Sequence, residues 1–482
     1  MTIKQIFDEI AATSGDIAKQ ELLAKHKDNE LLKRVLYLCK SKRVKFYIKQ
    51  IPDYVKESFE LNMPLNQALD TLVDVIAGRK ATGGDAIAVL QSLLNSVSED
   101  DAYIIERIID KDPKIGMGVT FINKVYKNDK KDPDLIEDTP YMGAISFDEK
   151  KAKAVFGTKD KPKKAYSQIK MDGRYCNAII RNGDVELESR SGEATILTGA
   201  LFLTELTKFE NCVLNGELTM DGVPRYEANG IIASMIDIYG KRASRTHTEH
   251  FKKIEAFEKK HGPIEEWLTK IVFTVWDTIT IDEYFNKESK TPYYERLDLA
   301  ASYISVADSK MVRVIESKEV HSYAEAMEHF QEVLSTEVDG VPQEGTILKA
   351  YDGEWKDGKP TWQIKMKLEM DVDLRIVGFN YGTKGSKNEH VISSLNAESS
   401  DGLVKTRPQG LTEKKMAEIT ANQDQWLGKV IQVKCNGLSH DKSGDYSLMY
   451  PSFIMLRDDK DTCDSLESIK QIENMVKSLA TA

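Results

Sequence analysis

The stretch that decides the fold covers residues 165–190 and reads AYSQIKMDGRYCNAIIRNGDVELESR. Apolar and polar side chains alternate along it in short runs, and the pairs Asp172-Gly173 and Asn182-Gly183 interrupt the alternation. A period of two is typical of half-buried β-strands, and Asp-Gly and Asn-Gly are typical turn dipeptides. The pattern therefore predicts strands over residues 166–170, 175–180 and 185–190.

The sequence changes character on either side of this stretch. Upstream, Ile3, Ile6, Phe7 and Ile10 recur on one helix face, and the same spacing returns three times, so about the first 130 residues are predicted to be helical. Residues 128–140, NDKKDPDLIEDTP, lack this periodicity and contain two prolines, which indicates a linker. Downstream we predict helices over 189–208 and 247–260, and strands over 271–276, 345–349, 374–379, 429–435 and 453–456.

Composition narrows the class of protein. The chain has 482 residues, enough for two to four domains, and 41% of them are hydrophobic, enough for packed cores. No apolar run approaches the roughly 20 residues of a membrane span, and the N-terminus lacks the features of a signal peptide. The five cysteines are scattered without a C-x-x-C pair, which argues against a disulfide framework or a zinc ribbon. We therefore expect a soluble, cytoplasmic, multidomain protein with no membrane partner.

The net charge of −10 by itself disfavours a polyanionic partner, but the charge is unevenly distributed. Residues 1–135 carry no net charge and residues 370–482 carry −2, which leaves −8 for the middle. The run from Lys33 to Lys49 holds seven Lys or Arg and no acid. Such a run is either a solvated helix face or a surface that follows phosphates. In the second case the candidate DNA contacts are Lys40, Lys42, Arg43 and Lys45.

Lys170-Met171-Asp172-Gly173 is the central candidate for a reactive site. A K-x-D-G match is weak alone, because Asp-Gly recurs in this chain mostly as plain turns. Six further segments follow it in order: Ser189-Arg190-Ser191-Gly192, Asn215-Gly216-Glu217-Leu218, Val275-Trp276-Asp277, Glu344-Gly345-Thr346-Ile347-Leu348-Lys349, Lys365-Met366-Lys367 and Arg457-Asp458-Asp459-Lys460.

This ordered set resembles the covalent nucleotidyltransferases, which comprise DNA ligases, RNA ligases and mRNA capping enzymes. It is most similar to the ATP-dependent DNA ligases of T-even bacteriophages, and the resemblance extends over nearly the whole chain, including residues 27–35 and 371–378. It implies an enzyme of DNA replication, repair and recombination that uses ATP and Mg²⁺, for which Mn²⁺ may substitute. The implied partner is nicked double-stranded DNA, and the implied state is a monomer in the host cytoplasm if a phage encodes it.

The resemblance also implies a multidomain α+β fold. An all-α DNA-binding domain would cover residues 1–132. An α+β nucleotidyltransferase domain, an ATP-grasp-like adenylation domain with antiparallel sheets, would cover 133–369. A C-terminal β-barrel of the OB-fold type would cover 370–482. The helical segment before the motifs and the roughly 110 residues of β-like sequence after them favour a DNA ligase over a capping enzyme or a phage-type RNA ligase.

The residue types suit the implied chemistry. A lysine amine can attack the α-phosphate of a nucleotide, so Lys170 is the expected nucleophile. Free lysine is protonated at neutral pH, and Lys365, Lys367 or a bound Mg²⁺ could each depress the pKa of Lys170. The two lysines would share one strand face and, by the resemblance, contact the α-phosphate. Glu217 and Glu344 are expected to hold the metal, because Mg²⁺ is usually bound by one or two carboxylates plus substrate phosphates.

Further residues are expected to bind the nucleotide. Trp276 would offer a flat face to adenine, and Gln168 would hydrogen-bond the base from the strand face of Lys170. Arg190 would hold a phosphate through its guanidinium group. The predicted site also includes Ile169, Arg174 and Tyr175.

Two features of the motif set qualify these expectations. The family pattern is K-x-D-G-x-R. Here Tyr175 occupies the arginine position and Arg174 lies one residue early. Because adjacent side chains of a strand face opposite sides, the sequence does not establish that Arg174 reaches the same ligand. By resemblance, Arg457 and Lys460 orient the leaving pyrophosphate. They lie about a hundred residues beyond the core motifs, so we expect the C-terminal domain to move toward Lys170 for the first step.

Other classes of site fit the sequence less well. The nearest P-loop match, residues 353–360, has Pro360 where a Ser or Thr must bind Mg²⁺. His247 and His250 could share a helix face but lack a third zinc ligand nearby. The absence of paired cysteines disfavours the NAD-dependent bacterial ligases. The alternatives that stay open are an RNA ligase or other nucleotidyltransferase of the same superfamily, and a non-catalytic DNA-binding protein.

Overall fold

The structure, a computed structural model, describes residues 1–48, 51–55, 62–127, 134–240, 245–338, 341–384, 388–440 and 444–479. The chain separates into two compact units, residues 1–139 and 140–482. Within the described ranges, no helix combines the length and the apolar character needed to cross a membrane. The first six residues of the predicted linker, 128–133, lie outside the described residues.

The regular structure described in the first unit is all helical, as the periodicity predicts. In its first helix, Ile3, Ile6, Phe7 and Ile10 are all buried in the core of the unit. Burying a large aliphatic side chain stabilises a fold by about 1.5–3 kcal/mol, so this face anchors the helix. The helices are α1 Ile3–Ala12, α2 Asp16–Ala24, α3 Glu30–Lys40, α4 Leu65–Thr71, a π-helix Leu72–Ala77, α5 Gly83–Ser96, α6 Glu99–Ile109 and α7 Val119–Tyr126.

The second unit combines helices with antiparallel sheets. Its helices are α8 Glu149–Ala154, α9 Leu201–Leu206, α10 Arg225–Gly240, α11 His247–His261, α12 Ile264–Leu268, α13 Ile281–Asn286, α14 Tyr293–Val306, α15 Tyr323–Leu334, α16 Glu413–Ala421, α17 Gln423–Trp426 and α18 Leu466–Leu479. The strands of its first part are β1 Gly157–Thr158, β2 Lys161–Pro162, β3 Ala165–Ile169, β4 Arg174–Arg181, β5 Asp184–Glu188, β6 Cys212–Met220, β7 Ile271–Thr280, β8 Glu288–Pro292, β9 Val312–Val314, β10 Ser317–Val320, β11 Glu337–Val338, β12 Val341–Pro342, β13 Gly345–Ala350, β14 Glu354–Lys356 and β15 Gln363–Lys367. The strands of its second part are β16 Met370–Tyr381, β17 Ile392–Glu398, β18 Lys405–Thr406, β19 Val430–Cys435, β20 Leu438–His440, β21 Tyr446–Leu448 and β22 Ser452–Leu456.

Two sheets form the framework of the first part. Sheet A has the order β10-β3-β13-β15 and is antiparallel throughout. Sheet B has the order β5-β4-β6-β7-β9 and is antiparallel except for the parallel pair β7–β9. Helix α15 and the short helix α8 cover one face of sheet A. Helices α9, α10 and α12 contribute apolar side chains to the core on one face of sheet B.

The three strands predicted in residues 165–190 are confirmed as β3, β4 and β5. The first turn, however, does not join partner strands, because β3 belongs to sheet A and β4 to sheet B. Asp172-Gly173 is therefore the crossover between the two sheets. Gly173 allows this crossover because a Cβ there would lie 2.4 Å from the carbonyl oxygen of Leu218 on β6.

The predicted helix over residues 189–208 is wrong for most of its length. Only α9, Leu201–Leu206, is helical, and the preceding residues form turns. Gly192 and Gly199 have φ angles of +79° and +92°, which a right-handed helix cannot contain. The predicted helix over 247–260 is confirmed by α11, and the predicted later strands are confirmed by β7, β13, β16, β19 and β22.

The C-terminal section contains a five-stranded antiparallel sheet with the order β18-β17-β16-β19-β22. Its β character is thus confirmed, but the described ladders leave the sheet open rather than closed into a barrel. Among the described isolated bridges, Gln409 with Ser452 joins the β18 end to β22, and Val404 with Tyr446 joins it to the separate hairpin β20–β21. Pro408 and Pro451 adjoin the bridge between Gln409 and Ser452, and proline lacks the N–H that a continuous ladder requires.

Candidate active site

The register of sheet A decides which side chains meet. Directly opposed residues of an antiparallel pair share a face. Gln168 and Lys365 lie in one row across β13, because both oppose the same residue of that strand. Lys367 opposes Gly345, whose carbonyl oxygen accepts a hydrogen bond of 2.9 Å from the backbone N–H of Lys170. Gln168, Lys170, Lys365 and Lys367 therefore share one face, as predicted for the two later lysines.

Lys170 forms an ion pair with the buried Glu344. The Lys170 Nζ contacts Glu344 Oε2, and the Glu344 side chain is only 1% exposed. Gly345 places this carboxylate at the start of β13 with a φ of +135°, and a Cβ there would lie 2.1 Å from the carbonyl oxygen of Met366. Glu344 Oε1 is shielded from solvent and accepts no hydrogen bond. The expected nucleophile thus directly contacts one of the two expected metal ligands.

Glu217 occupies β6, in sheet B, and faces the same cluster. Its Oε1 accepts a hydrogen bond of 2.6 Å from the backbone N–H of Gly173. Burial raises the pKa of Glu217 to about 7, although the Gly173 N–H and the charge of Lys170 oppose the rise. The carboxylates of Asp172 and Glu344 raise this pKa further. Glu217 therefore lies near enough to Lys170, Asp172 and Glu344 for their charges to act on it.

Arg225, on α10, balances part of this negative charge. Its guanidinium lies 3.3 Å from Asp172 Oδ2 and 3.9 Å from Glu344 Oε1. Neither Arg225 nor Asp172 was among the predicted site residues. Asp172 stood in the motif itself, whereas Arg225 follows no pattern that marks it.

Cations gather on the other side of Lys170. Burial lowers the pKa of Lys365, and the charges of Lys170, Lys359 and Arg190 lower it further. The exposed Arg190 lies with its guanidinium 4.1 Å from the ring centroid of Tyr141. The predicted association of Lys170, Arg190 and Lys365 is therefore present, and together they form a basic surface suited to phosphate oxygens.

Lys367 is engaged differently from Lys365. Its Nζ lies 2.9 Å from Glu369 Oε1 and 3.3 Å from Asn436 Oδ1, which belongs to the C-terminal section. The lysine pair thus shares a strand face, but one member contacts the C-terminal section and the other contacts the core of the site.

Trp276 lies at a β-bulge between β6 and β7. Asn215 opposes Asp277 and Gly216 opposes Val275, so Trp276 is the extra residue without an opposite partner. Bulges commonly redirect a side chain beside an active site. The Trp276 ring is partly exposed and packs beside Tyr166, Tyr293 and Ile315. The expected flat aromatic face is therefore present next to the strand that carries Gln168.

Ile169, Arg174 and Tyr175, the remaining predicted nucleotide-binding residues, lie in different places. Strand alternation puts the Ile169 side chain on the opposite face of sheet A from Lys170, where it lines a cavity of about 300 Å³. Arg174 is exposed at the start of β4. Tyr175 is partly buried on the face that carries Glu217, and its ring centroid lies 6.0 Å from that of Trp276. Of these three residues, Tyr175 is the one whose ring lies beside Trp276.

A buried polar network lies behind Trp276, and the sequence motifs identified only part of it. Gln168 Nε2 donates hydrogen bonds of 2.8 Å to the hydroxyl of Tyr293 and 2.7 Å to that of Ser317. Lys349 Nζ donates to the same Tyr293 hydroxyl at 3.0 Å. Burial lowers the pKa of Lys349 to about 7. Lys349 lies four residues after Gly345, so strand alternation would have placed both residues on the same face of sheet A. No sequence pattern marks Tyr293.

Arg457 and Lys460 make their contacts within the C-terminal section. Arg457 lies 3.0 Å from Asp373 Oδ1 and 2.8 Å from Asp459 Oδ2, and Lys460 lies 2.5 Å from Asp373 Oδ2. These ion pairs leave neither cation in contact with Lys170. The structure therefore does not bring the expected pyrophosphate ligands to the nucleophile.

The C-terminal section instead places Tyr450 beside the carboxylates of Glu344 and Asp172. Tyr450 has a φ of +51°, a strained value for an aromatic residue. Burial raises its pKa, and so do its contacts with the carboxylates of Glu344 and Asp172. Nearby, Met449 Sδ lies 3.9 Å from Arg225. The sequence analysis did not anticipate either residue.

The candidate DNA contacts lie in the first unit. Lys40 is the last residue of α3, and Lys42, Arg43 and Lys45 follow that helix. Helix α3 ends at Lys40, so only the first half of the basic run is helical. Lys40 Nζ lies 3.2 Å from Asp112 Oδ1. Lys49 lies outside the described residues.

The remaining basic residues follow in a segment with neither helix nor strand. The backbone N–H groups of Lys42 and Arg43 donate to one oxygen of Glu137 at 2.9 and 3.0 Å. Lys45 Nζ lies 5.1 Å from the ring centroid of Tyr47. Glu137 therefore holds the backbone of this segment in place.

The donor set determines which metal the site could hold. Among the described residues, no three His, Cys, Asp or Glu side chains converge as a metal cage. The buried, hydrogen-bond-free Oε1 of Glu344 and the neighbouring Glu217 offer hard oxygen ligands from two carboxylates. Such a pair fits Mg²⁺ or Mn²⁺, which complete their coordination with phosphate oxygens and water.

Known proteins resemble this chain over nearly its whole length. Residues 148–367 match the family described as ATP dependent DNA ligase domain. The chain is 30% identical to the DNA ligase of Enterobacteria phage T4 and 29% identical to that of Enterobacteria phage T6, in both cases over 97% of this chain and 98% of the relative. The solved structure named Pmar-Lig_PreS3 shares the fold, with a TM-score of 0.50 at 18% identity over 95% of this chain and 99% of that one.

Proposed function

This chain belongs to the ATP-dependent DNA ligases, and from that premise we propose how its residues carry out nick sealing. The observation that carries the proposal is the position of Lys170 Nζ, which lies on the sheet A face of Lys365 and Lys367 and contacts Glu344. A nucleophilic amine, a basic phosphate surface and two carboxylates therefore meet at one point.

In the first step the Lys170 amine gives up a proton and attacks the α-phosphorus of ATP. A nitrogen–phosphorus bond forms, the bond to the bridging β-phosphate oxygen breaks, and pyrophosphate leaves. Lys365 and Arg190 contribute positive charge where the phosphates must lie. Fixed charges of this kind stabilise phosphoryl transfer mainly by positioning and by neutralising charge.

In the two later steps AMP passes from Lys170 to the 5′-phosphate of a nick, and the adjacent 3′-hydroxyl then attacks that phosphate and releases AMP. Glu217 and Glu344 would hold Mg²⁺, or Mn²⁺ in its place, which would neutralise phosphate charge. Trp276 stacks on the adenine and Gln168 hydrogen-bonds it. Stacking of a base on an aromatic ring contributes about 1–3 kcal/mol.

The flanking sections would hold the DNA. We assign residues 1–132 to a DNA-binding domain, 133–369 to the nucleotidyltransferase domain and 370–482 to an OB-type domain. The bridge between Gln409 and Ser452, which joins the two ends of the C-terminal sheet, supports a partly open barrel of the OB type. The DNA contacts would be Lys40, Lys42, Arg43 and Lys45. We also expect a monomer and, if a phage encodes the chain, one that acts in the cytoplasm of the host cell.

The test is covalent labelling with α-labelled ATP and Mg²⁺. Wild type should retain the label after denaturation, and Lys170→Ala should retain none. Lys318→Ala serves as the matched control, because it removes an exposed lysine of the same sheet that pairs with Glu332. Label retained by Lys170→Ala would show that another residue is the nucleophile. Sealing of nicked duplexes with DNA or RNA strands then tests the substrate class.

A further inference from the structure

Glu344 is a buried carboxylate whose charge is balanced by two cations. Its side chain is 1% exposed. In the part of the chain that the structure describes, its ion-pair partners are Lys170, whose Nζ contacts Oε2, and Arg225, whose guanidinium lies 3.9 Å from Oε1. Oε1 itself accepts no hydrogen bond. Because a buried charge that loses its partner is strongly destabilising, the site depends on these two cations.

The proposed first step removes the positive charge of Lys170. Its ammonium group loses one proton before the nitrogen attacks the α-phosphorus of ATP, and a second when the nitrogen–phosphorus bond forms. The bond from the α-phosphorus to the bridging oxygen breaks, and pyrophosphate leaves with that electron pair. The phosphoramidate nitrogen that results is uncharged, and the phosphoryl group attached to it is negative. In lysyl-AMP, Glu344 has therefore lost the cation that contacts it directly.

Arg225 is the partner that remains, and the structure fixes its position from two sides. Its side chain is 16% exposed, and its Nε lies 3.3 Å from Asp172 Oδ2. Arg225 begins α10, which packs on the core of sheet B. One turn further along α10, Asn229 Nδ2 donates a hydrogen bond of 3.2 Å to the backbone carbonyl of Asp172. These contacts hold the guanidinium beside Glu344 independently of Lys170.

The groups that the C-terminal section brings to this place cannot supply the missing charge. Met449 lies 3.9 Å from Arg225 but offers only an uncharged thioether. Burial raises the pKa of Tyr450, and so do the neighbouring carboxylates, so its hydroxyl carries no charge at neutral pH. A guanidinium group, in contrast, stays positive at any accessible pH.

We propose that Arg225 is a positioning residue that takes over the charge of Glu344 once Lys170 is adenylated, and so stabilises lysyl-AMP relative to the free enzyme. This inference rests on the proposed function. It concerns the equilibrium of the first step, because in the free enzyme Lys170 itself balances the carboxylate. A residue that only shaped the site would change the rates of adenylation and of its reversal alike, and would leave the equilibrium where it was.

The test measures the ratio of adenylated to free full-length enzyme at fixed concentrations of α-labelled ATP, pyrophosphate and Mg²⁺. Equilibrium is approached from free enzyme with ATP and from adenylated enzyme with pyrophosphate. In Arg225→Met and in Arg225→Gln the ratio should fall at least tenfold, because the charge is lost. Arg225→Lys keeps the charge and should recover most of the wild-type ratio. Thermal unfolding of the unadenylated proteins identifies the variants that are folded.

Arg313→Met is the matched control. Arg313, on β9 of sheet B, also pairs with an aspartate, since its guanidinium lies 2.9 Å from Asp221 Oδ1. Its ratio should equal that of wild type.

The inference is overturned if the neutral variants of Arg225 keep the wild-type ratio, since another cation, Mg²⁺ included, would then balance Glu344. A ratio in Arg225→Lys as low as that of the neutral variants would also overturn it, because charge would not be the cause. Failure of the proposed function looks different, since wild type would then form no lysyl-AMP at all.

Discussion

Lys349 shows how strongly its surroundings alter a single residue. The side chain is 3% exposed, and its amine lies 4.6 Å from the ring centroid of Tyr293. Its nearest carboxylate, Asp277, is already paired with Arg296 at 2.7 Å. Burial therefore lowers the pKa of Lys349 to about 7, and Asp277 only partly opposes the effect.

This lowered pKa predicts a pH-dependent stability. In the unfolded chain the pKa of Lys349 returns to 10.5, so between pH 7 and 10 the unfolded state binds more protons than the folded one. The free energy of unfolding should therefore rise with pH, by up to about 1.4 kcal/mol per pH unit, and Lys349→Met should lack this contribution. Denaturant unfolding of wild type and variant at pH 7 and pH 9 measures the difference.

Tryptophan fluorescence suits this measurement, because all five tryptophans lie in the second unit. We expect wild type to gain about 2–3 kcal/mol relative to Lys349→Met between the two pH values. Parallel pH profiles would mean that the folded state keeps this lysine charged.

The bulge in β7 is the element that gives Trp276 its position. Without the extra residue, Trp276 would continue the pairing with β6, and its side chain would alternate with its neighbours. With the bulge, Trp276 leaves the ladder and joins the aromatic group beside Gln168. Its backbone carbonyl still accepts the hydrogen bond from Tyr293, so Trp276 also belongs to the buried network.

Substitution of Trp276 should weaken nucleotide binding in proportion to the lost ring. Trp276→Ala removes the stacking surface, worth about 1–3 kcal/mol, so the KM for ATP in self-adenylation should rise roughly 5- to 150-fold. Trp276→Phe keeps a smaller ring and should give a smaller rise. The control Trp267→Phe changes a tryptophan of α12 and should leave the KM for ATP unchanged. Equal KM values for Trp276→Ala and wild type would exclude stacking.

The crossover at Asp172-Gly173 illustrates what an element-level pattern can and cannot predict. Alternation predicts both flanking strands to within a residue or two. A turn dipeptide alone does not say whether the strands pair with each other. Here each strand finds partners far along the chain, β3 in β13 and β4 in β6, and this choice places Lys170 between the two sheets.

At the scale of the whole chain, the C-terminal section holds Arg457 and Lys460 in ion pairs of its own, out of contact with Lys170. The section presents Tyr450 and Asn436 to the site, while Arg457 and Lys460 stay in ion pairs with Asp373. If the latter two orient pyrophosphate, the section must rotate for the first step. Asp373 is only 9% exposed but belongs to the same section as both cations, so the section can rotate without breaking these ion pairs.

The double variant Arg457→Ala, Lys460→Ala should therefore affect only one step. Labelling by α-labelled ATP should fall at least tenfold, because pyrophosphate is no longer oriented. Sealing of a nick that already carries the 5′-adenylate should proceed at the wild-type rate. Lys415→Ala, which removes a lysine paired with Glu418 on α16, is the control and should leave both rates unchanged. Equal losses in labelling and sealing would contradict the separation of steps.

The sequence by itself determined the helical first section, the strands around residues 165–190 and the ordered motif residues, Lys170 foremost. These features repeat with the period of a helix or a strand, or recur at characteristic positions within a family, so local order along the chain suffices. Only the tertiary structure decided that β3 and β4 join different sheets, that Glu344 contacts Lys170, and that Gln168 donates a hydrogen bond to Tyr293. Those contacts join residues 100 or more positions apart, where free energy depends on packing and burial that no local pattern records.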